Sequence, residues 1–312
     1  MAMATVIDTW GAAPVPAGSQ MAIAGDELFQ GSVSGGCVEA DVVAAGLDVL
    51  TRQEPQTLTF GVADETAWRA GLACGGKIRV HVAPLEREKS LALFAGIDAA
   101  NADRRSIVIA TRLSDGMQQI FADAGAAPAP VAAAFATGVS QTITTPDGET
   151  FVHAITPPPR IAIIGATHIG QHLCDLARAI GYGVVVIDPR SAFTNPARFD
   201  PASVATGWPE AELRRLADDA YTAVVAVTHT GQIDDEALGI AIRSPCRYAG
   251  ALGSRKTHEK RLERLASAGF SETELSRIHA PIGLNIGAKS PGEIAVSILA
   301  EIIATFRNAK VS

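Results

Sequence analysis

The chain has 312 residues, 47% hydrophobic and 19% charged, with a formal net charge of −7, which allows two folded domains and argues against a disordered chain. The acidic balance argues against general DNA or RNA binding, which needs a basic surface. No apolar run approaches the ~18 residues of a membrane span, no basic start marks a secretory signal, and four cysteines without a CxxC pair make no disulfide framework, so a cytoplasmic protein is expected.

Thr5–Ile7 and Met21–Ala24 read as strands around a Gly/Pro turn, Gly11–Gly18. Val38–Leu50 reads as a helix, with Val38, Val42, Ala45 and Val49 at helical spacing. Lys77–Ala83 alternates as a strand, Glu88–Ala100 follows as a helix, and Ile107–Thr111 as a strand. Gly125–Ala136 reads as an Ala/Pro-rich loop. Gln141–Thr145 and Glu149–Ala154 flank Pro146-Asp147-Gly148, a hairpin signal.

Thr156-Pro157-Pro158-Pro159 predicts a stiff linker, because three prolines fit neither a helix interior nor a central strand. Beyond it, apolar strands alternate with helices. Strands are expected at Ile161–Ile164, Val184–Ile187, Ala223–Val227 and Tyr248–Leu252. Helices are expected at Ile169–Ile180, Glu210–Ala217, Asp234–Arg243, Ser254–Ala266 and Pro291–Phe306. Continuous apolar strands between helices predict a parallel sheet covered on both faces. The expected organisation is a mixed α/β domain over 1–156 and a Rossmann-like doubly wound domain over 157–312.

Three stretches carry candidate chemistry. Gly165-Ala166-Thr167-His168-Ile169-Gly170 joins a strand to a helix where a dinucleotide fingerprint belongs, and Asp188 ends the next strand as a ribose-binding acid would. Thr167 replaces the middle glycine, and its branched side chain obstructs pyrophosphate. An NAD(P)-dependent oxidoreductase is therefore only the alternative reading, although the helix N-terminus still offers N–H groups to an anion. A second junction, Ala251–Lys256, has Ser254 as an N-cap and Arg255 and Lys256 in the first turn. Cations there oppose the helix dipole, a conflict that a bound phosphate would remove. His229 follows another strand on the same carboxyl edge. Surface charge is the plain alternative for these residues and for the other bases of 243–264.

Gly35-Gly36-Cys37 delivers a cysteine to a predicted helix N-terminus, where N–H groups favour thiolate. Cys74-Gly75-Gly76 repeats the pairing in reverse, so two thiols are candidate reactive groups, with small buried cysteines as the plain alternative. Cys174 and Cys246 read as core residues, and His81 and His153 as structural strand residues. No set of His and Cys completes a zinc site.

These strings resemble the XdhC/CoxI family of accessory proteins of molybdenum hydroxylases. The resemblance is carried by Gly31-Ser32-Val33-Ser34-Gly35-Gly36-Cys37-Val38-Glu39, Leu72–Gly76, Ile163–Gly170, Val186–Arg190, Gly250–His258 and Pro281–Ala288. It spans nearly the whole chain, with departures at Thr167 and Asn285. It implies a maturation factor that binds the pyranopterin molybdenum cofactor, assists its sulfuration and passes it to an apo-hydroxylase, with a cysteine desulfurase as sulfur source. Cys37 and Cys74 would handle sulfur, with Cys37 as a molybdenum contact. Gly35, Gly36, Gly165, Thr167, His168, Gly170, Asp188, His229, Ser254, Arg255 and Lys256 would bind the cofactor. A homodimer is compatible; membrane and nucleic-acid partners are not expected.

Overall fold

Prolines 157 to 159 stand where the chain divides into two units, Met1–Pro157 and Pro158–Ser312. The computed structural model describes residues 1–61 and 75–309. Among these no helix is long and apolar enough to cross a membrane.

In the first unit, strands β1 (Ala2–Trp10), β2 (Gln20–Ile23) and β3 (Phe29–Gly31) precede helix α1 (Glu39–Arg52). Then come β4 (Gln56–Phe60), β5 (Lys77–Pro84), α2 (Arg87–Ala102), β6 (Ile107–Arg112), β7 (Gln118–Phe121), α3 (Ala129–Thr137), β8 (Gln141–Thr145) and β9 (Gly148–Ile155). They form two antiparallel sheets, ordered β3-β2-β1-β5-β4 and β7-β6-β9-β8. Side chains alternate faces along a strand. Ala2, Ala4 and Val6 of β1 therefore pack with Val42 and Val49 of α1, while Met3 and Thr5 point to the opposite face. The Ala/Pro-rich stretch expected as a loop contains α3. Its proline sits in the first turn, where no N–H is needed, and Val131 and Ala134 bury against the second sheet.

In the second unit, β10 (Arg160–Ile164), α4 (His168–Ala179), β11 (Gly183–Ile187), β12 (Val204–Ala205), α5 (Pro209–Leu216), β13 (Thr222–Ala226) and α6 (Gly231–Ile242) follow one another. The unit ends with β14 (Tyr248–Ala251), α7 (Arg255–Ser267), α8 (Glu272–Leu275), β15 (Ile278–His279) and α9 (Pro291–Phe306). Six parallel strands run in the order β12-β11-β10-β13-β14-β15. Numbered within the unit this is 3-2-1-4-5-6, the doubly wound Rossmann order. Ile161 and Ile163 pack on one face with Leu173 and Ile298; Ala162 and Ile164 pack on the other with Leu213 and Leu238. That two-sided burial is why the strands read as unbroken apolar runs.

The first turn of this sheet is the tightest. Gly165 has φ +119, and a Cβ there would lie 3.0 Å from Thr228. A Cβ on Gly170 would strike the Gly165 carbonyl oxygen. Gly170→Ala should therefore cost about 1–3 kcal/mol of stability through overpacking. Urea unfolding measures this, and an unchanged midpoint would show that the turn can widen.

Candidate functional site

The second unit gathers candidate residues at the carboxyl edge of its sheet, where open α/β sheets bind ligands. Thr167 is the N-cap of α4, and its hydroxyl accepts from Gly170 N–H at 3.2 Å. The residue in the middle-glycine position thus fills a helix donor with its own side chain. His168 opens the helix and is exposed.

Asp188 is not the free ribose-facing acid that the sequence suggests. It is 0% exposed. One oxygen accepts from Ala166 N–H at 2.9 Å and from Arg190 Nη2 at 2.7 Å; the other takes Arg190 N–H and Nε. Burial pushes the carboxyl up, but the Arg190 guanidinium and these N–H groups hold it below the usual carboxylate range. The Arg190 guanidinium lies over the Phe193 ring at 4.1 Å. Asp188 therefore serves as an anchor for the turn.

His229 follows β13 in a left-handed conformation, φ +63, and is exposed. Beneath it, Thr228 donates to the buried Asp234 carboxylate at 2.7 Å and accepts from Thr230 N–H at 2.9 Å. At the end of β14, Ser254 caps α7 by accepting from Thr257 N–H. Arg255 and Lys256 in the first turn are exposed and make no ion pair among the described residues. Two other bases of 243–264 reach across to acids of other elements: Arg243 to Glu274 and Arg264 to Asp235.

Arg261 was not a sequence candidate. It is 2% exposed and donates from Nη2 to the Leu252 carbonyl at 3.2 Å. Its Nε and Nη1, and Nδ1 of His258, are buried without hydrogen-bond partners. Asp234 and Asp235 lie 3.8 and 3.3 Å from the guanidinium. The available signal was spacing, because Arg261 and Leu265 share the buried face of α7. Arg261 is thus held by two acids, and the donors here suited to phosphate are those of the exposed Arg255 and Lys256.

In the first unit, Gly35 and Gly36 have φ +74 and +113, and their turn leaves Cys37 exposed. The N–H groups expected to face that thiol are already taken. Glu39 Oε1 accepts from Ser32 Oγ at 2.7 Å and from the N–H groups of Val33 and Ser34; Oε2 accepts from Ser34 Oγ and the N–H groups of Gly36 and Val38. Ser34 Oγ takes Cys37 N–H at 2.9 Å. These donors serve Glu39 and Ser34 rather than the Cys37 sulfur, whose accessibility stands. Among the described residues no group of three His, Cys, Asp or Glu could hold a metal ion. Cys74 lies outside the described residues. Cys174 and Cys246 are buried.

Burial pushes the Glu39 carboxyl up, yet the hydroxyls of Ser34 and Ser32 and the Ser34 N–H hold it at about 2, against an ordinary 4.5. A carboxyl lower in the folded than in the unfolded chain stabilises above its unfolded pKa, and that contribution is lost as pH falls through the folded value. Glu39 should thus contribute about 2–3 kcal/mol near neutral pH, lost between about pH 4.5 and 2. Denaturant unfolding across that range should show a shallower pH dependence in Glu39→Gln, and parallel curves would refute the role.

Comparison with known proteins places these features. Residues 161–302 match the XdhC Rossmann domain, and residues 1–61 match the XdhC and CoxI family; together the matches cover more than half of the chain. A relative from Bacillus subtilis (strain 168), named as a probable xanthine dehydrogenase subunit, is 29% identical over 97% of this chain and 92% of its own. The molybdenum cofactor insertion chaperone PaoD of Escherichia coli (strain K12) is 27% identical over 96% of this chain and 81% of its own. A crystal structure of a xanthine dehydrogenase from Bacillus halodurans superposes with a TM-score of 0.77, at 26% identity, over 99% of this chain and 92% of that one.

Proposed function

Because the chain belongs to the XdhC and CoxI family, we propose that it is a maturation factor for a molybdenum hydroxylase. It binds the pyranopterin molybdenum cofactor as cargo, assists exchange of an oxo for a sulfido ligand, and delivers the cofactor to the apo-enzyme. The name of the relative PaoD supports cofactor insertion as the theme.

The observation that carries the reading is the α7 junction. Arg255 and Lys256 stand in a helix first turn, exposed and with no ion-pair partner among the described residues. Such a donor set fits a phosphate or diphosphate of the cofactor. The α4 turn offers less, because Thr167 and Asp188 occupy donors that a dinucleotide would use. That argues against the NAD(P) oxidoreductase reading.

The domain of 1–156 is assigned the reactive end. Cys37 is an exposed thiol in a loop fixed by Glu39. With a cysteine desulfurase as sulfur source, Cys37 would contact the molybdenum end of the cofactor or carry the transferable sulfur, with Cys74 assisting.

Two experiments test this. Protein purified from cells that make the cofactor should carry molybdenum and pterin. Arg255→Ala should weaken retention about tenfold, the size of one charge-assisted hydrogen bond. Equal retention in a folded variant would return Arg255 to surface charge. Cys37→Ser should still retain the cofactor but fail to support activation of the client enzyme. Full activation by that variant would reduce Cys37 to a turn residue.

A further inference from the structure

One face of the five-stranded sheet is covered by α1. On the other, Met3, Thr5, His81 and Ala83 line a cavity of about 580 Å³ together with residues of α2, β6 and β9. Packing would normally fill the space between two sheets with aliphatic side chains. Here imidazoles stand in both walls. His81 lies directly opposite Thr5 on β1 and Thr57 on β4. His153 of β9 lies opposite Ile109 in the second sheet.

Neither ring has both nitrogens hydrogen-bonded among the described residues. His81 is 3% exposed; its Nδ1 is 3.2 Å from Thr57 Oγ1, and its Nε2 is buried with no partner. His153 leans on Phe151 at 5.6 Å, and neither of its ring nitrogens is hydrogen-bonded among the described residues. Burial, aided at His81 by Arg79, pushes both down to about 4. At neutral pH each is therefore an uncharged ring with one donor and one acceptor nitrogen; the unmade hydrogen bond of the buried His81 Nε2 is costly, while His153 is half-buried.

The remaining lining selects against charge. Phe94, Ile97, Phe151 and Ile155 are apolar. Glu86, Lys89 and Asp115 also line the space but are solvent-exposed and ion-paired, Glu86 with Lys89 at 2.9 Å and Asp115 with Arg112. Gln20 and Gln118 add polar arms, hydrogen-bonded to Thr5 and Thr111. The volume is in the range of small-molecule sites.

We propose that this cavity binds an uncharged heteroaromatic molecule of one or two rings, whose edge carries both a hydrogen-bond donor and an acceptor met by His81 and His153. The site lies wholly within the first unit and does not depend on the carboxyl-edge reading, so either can fail alone.

The test uses the full-length protein and two probes of one shape. Indazole carries a donor and an acceptor nitrogen; indene carries neither. Calorimetric titration should give saturable indazole binding, at least about fivefold tighter than indene, the effect of one hydrogen bond. The imidazole nitrogen resonances of His81 and His153 should shift with indazole. His81→Phe and His153→Phe keep an aromatic ring and should each weaken indazole about fivefold while leaving indene unchanged. No saturable indazole binding at millimolar concentration, as a merely water-filled cavity gives, overturns the proposal. So does equal affinity for both probes. If a variant fails to fold, the wild-type probe comparison and the resonance shifts decide.

Discussion

Glu39 draws its whole loop inward. Hydroxyls of Ser32 and Ser34 and the backbone N–H groups of Val33, Ser34, Gly36 and Val38 converge on one carboxylate. A glycine-rich chain would otherwise lose much entropy on ordering. Charge-assisted hydrogen bonds offset that loss and let Gly35 and Gly36 hold left-handed turns. The second unit repeats the device. Asp188 holds the α4 turn, Asp234 holds Thr228, and Glu301 accepts from Gly283 N–H, Tyr248 and His279 at 2.7, 2.6 and 3.0 Å. Candidate loops in both units are thus tied by internal anions.

This arrangement sorts the helix termini. At α4 Thr167 takes Gly170 N–H and Asp188 takes Ala166 N–H just before the helix, while at α1 the loop N–H groups go to Glu39 and Ser34. At α7 Ser254 takes only Thr257 N–H, no acid stands in the first turn, and cations stand there instead. Because α4 likewise has one hydroxyl cap and no first-turn acid, what sets α7 apart is the pair of cations in its first turn. That difference, rather than the dinucleotide-like string, directs attention to Arg255 and Lys256.

The Rossmann-like unit was legible because buried parallel strands leave continuous apolar runs and its helices carry strong 3.6-residue periodicity. The first unit was harder. Its short strands β3 and β7 are largely exposed and show no alternation. Helix α3 hid because alanine and proline carry no apolar stripe. The site was legible as residue types and illegible as partners. Sequence gives Asp188 as an acid after a strand, but not that Arg190, two residues on, folds back to clamp it. It gives Glu39 as a first-turn acid, but not that it closes the loop before it. Arg261 went unread because a base on a charged helix is assigned to water until its packing is known.

The Thr167 cap has a kinetic consequence. A helix start that satisfies itself does not need a guest to become ordered. Binding beside it then proceeds without a folding step, and release leaves no frayed end behind. Residence time is set by the contacts alone, so the encounter can be brief and reversible.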